Sequence, residues 1–254
     1  MGFYDLSKEE RTALINEMEA TILNDLHRKQ WTEIFTYAAD RDTYIRKQAY
    51  TILGKIYKAD SALRHTILTT IKELITARDE KIRQTAIYAS GEIGKIDAAP
   101  VIDVLEKGLK DRHHAVRNGV IGALKQMGEK NPEPTIMFAA NHIHDPDPEI
   151  RRQVIHGIEL RGRTHPEDIL PLLRERQHES HKRVKETIIH VLGQISYKRG
   201  GLEKVIHHLT TWENKEIVAQ AVKEIITIHQ RESSTAKTAA QAQEYIAKKM
   251  KDFE

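Results

Sequence analysis

Fourteen histidines and no cysteine stand out in this 254-residue chain as the residues with chemical potential. Without thiols there is no disulfide, no thiolate zinc site and no cysteine nucleophile. The stretch "NHIHD" sets His142, His144 and Asp145 close together, and "HESH" does the same for His178 and His181. Such spacings suit metal ligation, but both stretches fall at helix ends or connecting turns. His156 and His190 lie exactly one sequence repeat apart and are expected to face one surface as polar lining. No Ser-His-Asp arrangement offers a candidate nucleophile with its base, and "YKRGGLEK" at 197–204 reads as a helix-to-helix turn, not a phosphate loop. The expectation is therefore no catalytic residue, no cofactor and no metal.

The elements that position these residues come from a repeat. "ADRDTYIRKQAYTILGKIYK" at 39–58, "KDRHHAVRNGVIGALKQMGE" at 110–129 and "HDPDPEIRRQVIHGIELRGR" at 144–163 share one pattern. Its register mark is the apolar residue before a cation: Ile45, Ile82, Val116, Ile150, Val184 and Ile217. The steps are 37, 34, 34, 34 and 33 residues, the period of a solenoid. Apolar or small residues follow at four, eight and eleven positions, as in Ala49, Leu53 and Ile56, which is one face of a helix. A shorter apolar pattern precedes each mark, so every unit is a helix pair. Stacked pairs bury what neither helix buries alone. Proline falls at starts and links, except Pro171, which predicts a kink inside a first helix.

The cation after the mark is Arg46, Arg83, Arg117, Arg151 and Lys185 in successive units. Acids stand three to five residues before the mark: Asp42, Asp79, Asp111, and Asp145 with Asp147. These are expected to cap the second helices and to meet the cation of a neighbouring repeat in a structural ladder. The candidate binding residues lie elsewhere on the same helices. Two positions past the mark come Lys47, Asn118 and Arg152, and six past come Tyr88, His156, His190 and, on the last repeat, Lys223.

The pattern resembles the HEAT-repeat family over roughly residues 30–230. The resemblance implies an all-α, right-handed α-solenoid of about six HEAT-like repeats whose second helices line a concave groove that holds partners. The expected organisation is a solenoid over 1–230, with a capping helix in 1–29 opened by the box Ser7-Lys8-Glu9-Glu10. Residues 231–254 are expected to be a linker followed by a helix or a mobile tail. One segment, "RVKETIIHVLGQISYKRGGLEKVIHHLTTW" at 183–212, is similar to a repeat of the HEAT-like alkylpurine DNA glycosylases. Arg183, Val184, Leu192, Ile195, Ser196 and Trp212 carry that likeness, and Arg152 fits a DNA-contacting position. His190 and Gln194 replace that family's Asn and Asp. Arg117 and Asn118 stand where its catalytic carboxylate is expected, and base departure needs that carboxylate to stabilise a cationic sugar. The HEAT enzyme deoxyhypusine hydroxylase uses several His-Glu dipeptides, whereas His178-Glu179 is alone here and in a turn.

Composition sets the frame for partners. Charged residues are 30% and aromatics 6%, with a net charge of +3. Residues 1–40 contribute −4, so the later segments carry a basic excess that points to an anionic partner. The N-terminus has no basic start and apolar core of a signal peptide, and no apolar run suits a membrane span. The expectation is a cytoplasmic, non-catalytic scaffold for a protein or peptide partner, with nucleic acid as the alternative and no membrane association. The oligomeric state is not encoded in any feature of the sequence.

Overall fold

Each register mark opens a buried stripe. Val116, Val184 and Ile217 are fully buried, and so are Leu124, Leu192 and Ile225 eight residues further on. Removing each such side chain from water contributes about 1.5–3 kcal/mol, which is what holds a helix pair against the next. A computed structural model describes residues 2–250, and all regular structure among them is helical. The fold is an all-α solenoid of HEAT-like helix pairs. None of the described helices is long and apolar enough to cross a membrane.

The chain divides into two compact units, one up to Asn131 and one from Pro132. The first contains α1 (Lys8–Arg28), then the pairs α2 (Thr32–Ala39) with α3 (Thr43–Ala59), α4 (Arg64–Leu74) with α5 (Glu80–Gly94), and α6 (Ile102–Leu109) with α7 (His114–Lys130). Ser7 opens α1: its hydroxyl accepts from the Glu10 N–H, and the Glu10 carboxylate accepts from the Ser7 N–H at 2.7 Å. Buried Asp25 of α1 then accepts from the N–H groups of Glu33 and Ile34 at 2.8 and 3.1 Å, capping α2, whose own N-cap Trp31 provides no such bond. At Gly91, α5 meets α7 so closely that a Cβ would lie 2.9 Å from both Cα and Cβ of Ala123.

The second unit contains α8 (Pro132–His142) with α9 (Pro148–Gly157) and α10 (Glu159–Thr164), α11 (Pro166–Glu175) with α12 (Lys182–Ser196), α13 (Gly201–Leu209) with α14 (Lys215–Arg231), and α15 (Ala239–Lys249). Sequence periodicity reads α9 and α10 as one helix; the structure interrupts it at buried Ile158. The residue eleven past the mark is here Arg161, unsuited to the core. Arg161 instead pairs with Asp168 at 2.7 Å, and Gly162 takes the place against Ile195. α11 runs through Pro171, whose ring nitrogen has no hydrogen for the preceding turn. Within the tail segment, Thr238 and Gln241 cap α15 reciprocally, and α15 buries Ala242 and Ile246. Residues 251–254 lie outside the described residues.

The acids before the marks have two separate jobs. Three residues before the mark, Asp42, Asp79 and Asp147 cap α3, α5 and α9 by accepting from the N–H two residues on. Five before the mark, Asp111, Asp145 and Glu179 each accept from the N–H two residues on within their own turns. Asp111 also binds Arg83 through two bonds of 2.7 and 2.9 Å, and Glu179 binds Arg151 through two of 2.9 Å. Asp79 is therefore a cap and not a rung. Arg46 has no rung because the corresponding position is Ala77, and it makes no ion pair among the described residues. For Lys185 the corresponding position is Trp212, and the lysine reaches exposed Glu216 at 3.3 Å instead.

The arginines have a further function that sequence spacing did not reveal. Nη1 of Arg46, Arg83, Arg117 and Arg151 donates to the carbonyls six and five residues earlier, at 2.6–3.3 Å. Each guanidinium thus ties down the turn that enters its own helix, satisfying carbonyls that neither helix of the pair can reach.

Candidate functional site

The expected binding residues divide between the two units. In the first, Lys47 and Asn118 are exposed, and Tyr88 stacks on Tyr50 with ring centroids 5.1 Å apart. Burial, with Tyr88 and Glu92 beside it, pushes the Tyr50 hydroxyl up to about 12, so it stays a neutral phenol. In the second unit, α9 and α12 bring Arg152, His156 and His190 around one cavity of about 240 Å³, together with Arg183, Glu186 and Thr187. Lys223 is exposed on α14 and does not line it.

Arg152 is less available than its sequence position suggests. Its Nε and Nη2 bind Glu149 at 2.9 and 2.7 Å, one turn earlier on α9. That bidentate bond, against the opposing effect of burial, holds Glu149 down to about 2, with further help from Gln153 and Arg183. Arg183 is exposed, and its charge acts on Glu149 at a distance without closing an ion pair. It is the cation of the cavity that remains open to a partner.

His156 and His190 do meet. Their rings stand edge to face, 6.0 Å apart between centroids. Beneath them is Glu159, only 2% exposed at its side chain, with Oε2 3.1 Å from His156 Nε2. Its other oxygen, Oε1, accepts from Arg163 at 2.5 Å, and Arg163 also donates to Gln194 and to the Tyr197 hydroxyl. Behind His190, Glu224 Oε1 lies 3.8 Å from Nδ1. Sequence reasoning missed Glu159, although His-x-x-Glu places both side chains one turn apart on a helix. It also missed Arg183 as a lining residue and Glu224, which lies a full repeat beyond His190.

The histidines of "NHIHD" and "HESH" assemble no such cluster among the described residues. His144 pairs with Glu175 at 2.6 Å, and His178 lies 3.8 Å from Glu213, each pair more than roughly half exposed on average. Neither brings a third ligand among the described residues. Trp212 is buried and donates its Nε1–H to His208 Nδ1 at 2.9 Å, so its role is in packing.

Comparison with known proteins bears on the same region. The family model for HEAT repeats matches residues 136–226, which run from α8 into α14. No curated protein sequence matches the chain. Among solved structures, AlkD2 from Streptococcus mutans superposes with a TM-score of 0.57 at 13% identity, covering 82% of this chain and 97% of its own. A structure of crescerin, reported to use a TOG domain array to regulate microtubules in the primary cilium, gives a TM-score of 0.50 at 15% identity, covering 76% of this chain and 88% of that one. At these identities the likeness is one of fold.

Proposed function

From a chain whose residues 136–226 are HEAT repeats in an all-α solenoid, we propose a non-catalytic scaffold that holds an acidic segment of a partner protein on the face of α9, α12 and α14. The observation that carries this reading is the charge mosaic of that face. Arg183 on α12 and Lys223 on α14 are exposed cations, while Glu149, Glu186 and Glu224 place carboxylates on the same three helices. Duplex DNA lays down a continuous row of phosphates and would meet those carboxylates. An acidic protein segment can space its charges to suit the cations and spare the rest. Arg152, the residue best placed for a DNA backbone, already spends its planar donors on Glu149.

A cavity of about 240 Å³ is also below the roughly 300–1,000 Å³ of a small-molecule site. The reading without catalysis rests on Arg117 and Asn118, which occupy the place of the carboxylate in the glycosylase resemblance. Affinity capture from the native cell tests the proposal. Wild-type bait should retain a protein partner after nuclease treatment, and Arg183→Glu bait should lose it. A partner released by nuclease would favour the nucleic-acid reading, and excision of alkylated bases by the wild type would overturn the scaffold.

A further inference from the structure

We propose that His156, Glu159 and His190 bind one divalent first-row transition-metal ion of the zinc class. One ligand atom from each residue lies within 4.8 Å of the other two. Zinc bonds of about 2.0–2.1 Å hold tetrahedral ligands roughly 3.4 Å apart. The His156–Glu159 pair, at 3.1 Å, already has that separation. The remaining pairs need at most about 1.5 Å of closure to reach it, which a modest side-chain rotation supplies.

The donor set selects the ion. Two imidazoles and one carboxylate suit zinc, cobalt and their neighbours, whereas calcium and magnesium prefer oxygen alone. Three protein ligands leave a fourth position, and the half-exposed rings of His156 and His190 turn it toward the cavity beside Arg183.

The surroundings are built as metal sites usually are. Buried Glu159 is fixed through Oε1 by Arg163, which leaves Oε2 toward His156. Arg163 is itself held by Gln194 and by Tyr197, over whose ring it lies at 5.5 Å. Glu224 Oε1 lies 3.8 Å from Nδ1 of His190, beyond hydrogen-bond distance but near enough to become the carboxylate that orients a ligating imidazole once the ring turns. The interruption at Ile158 lies between His156 and Glu159, so the same irregularity that removes Arg161 from the core shapes the ligand pair. The site does not depend on a macromolecular partner, and its test uses the protein alone.

Metal-stripped full-length protein is titrated with Co²⁺, followed by its visible absorption, and then with Zn²⁺ as competitor. One Co²⁺ per chain should bind, with bands that Zn²⁺ abolishes. His156→Ala and His190→Ala should each weaken binding at least about tenfold. His144→Ala, which removes an exposed histidine paired with a carboxylate elsewhere, should leave it unchanged. Glu159→Gln should also weaken it, but Arg163 loses its buried partner there, so the two half-exposed histidines carry the test if that variant does not fold. No stoichiometric binding, binding indifferent to both His156→Ala and His190→Ala, or an equal loss in His144→Ala would each overturn the proposal.

Discussion

Arg151 on α9 reaches across one repeat to Glu179, giving two hydrogen bonds of 2.9 Å from Nε and Nη2 while Nη1 holds the carbonyls of Asp145 and Pro146. One guanidinium thus joins a turn, a helix and the next helix pair. The pair is buried, with side-chain exposures of 10% and 1%. Arg151→Ala should therefore lower stability by roughly 1–3 kcal/mol, since Glu179 keeps only Arg176 and the His181 N–H. Arg46→Ala removes the carbonyl bonds but no carboxylate partner, and should lower it by roughly 0.5–1.5 kcal/mol. Urea denaturation of the two variants checks the order; an Arg46→Ala loss larger than that of Arg151→Ala would remove the significance of the rung.

Glu179 also fixes a pH dependence. Burial raises its affinity for a proton, but bonds from Arg151, Arg176 and the His181 N–H outweigh that and bring it to about 2 from an ordinary 4.5. A carboxyl lowered on folding contributes its full stability above its unfolded value and loses it as pH falls toward the folded one. Wild-type protein should thus lose stability between about pH 4.5 and 2. Glu179→Gln should be less stable at pH 7 and show a smaller loss over that same interval, as measured by urea midpoints at several pH values. An identical acid slope in both proteins would contradict the assignment.

His208 gives the opposite end of the pH range something to report. Burial first, then the charges of Arg174 and His207, lower its affinity for a proton below the ordinary 6.5. The unfolded chain takes up that proton sooner, so stability is lost as pH falls through 6.5. Trp212 donates to His208 Nδ1, and protonation there breaks the bond. In a Trp31→Phe background, Trp212 fluorescence should change in a step below pH 6.5 that His208→Gln removes. A step that persists in His208→Gln would assign it elsewhere.

Close packing makes a fourth prediction. Gly91→Ala gains about 1 kcal/mol of helix propensity. Its Cβ, however, would lie 2.9 Å from the backbone Cα of Ala123, which no rotamer change relieves. Overpacking of this kind costs roughly 1–3 kcal/mol, so the net effect should be a lower melting temperature. A raised melting temperature would mean that α5 and α7 separate freely.

The fold was legible because one spacing was written six times. The stripe at four and eight positions past each mark, and at eleven past every mark but Ile150, cannot be satisfied by a strand, and its period identifies a solenoid. The interruption at Ile158 was less visible, since only Arg161 in a core position hints at it. The ladder was half legible. Asp42, Asp79, Asp111 and Asp145 look alike in sequence, yet of the four only Asp111 meets the arginine of the preceding repeat, while Asp42 and Asp79 are caps. Glu179 escaped attention because it is a glutamate in a family of aspartates. His156 and His190 were placed on one surface by the repeat alone. The depth of Glu159 was not, because its burial comes from the interruption at Ile158 and from Arg163.

The scaffold reading stands or falls most directly on which polyanion the face accepts. Fluorescence anisotropy compares a labelled polyglutamate peptide with labelled duplex DNA, each titrated with wild-type, Arg183→Glu and Lys223→Glu protein across a range of salt. The peptide should bind the wild type more tightly than the duplex at physiological salt. Each substitution should weaken the peptide, with melting temperatures shifted by no more than a few degrees. Tighter binding of the duplex, with a salt slope of several counterions that both substitutions reduce, would contradict the account and make this a nucleic-acid surface.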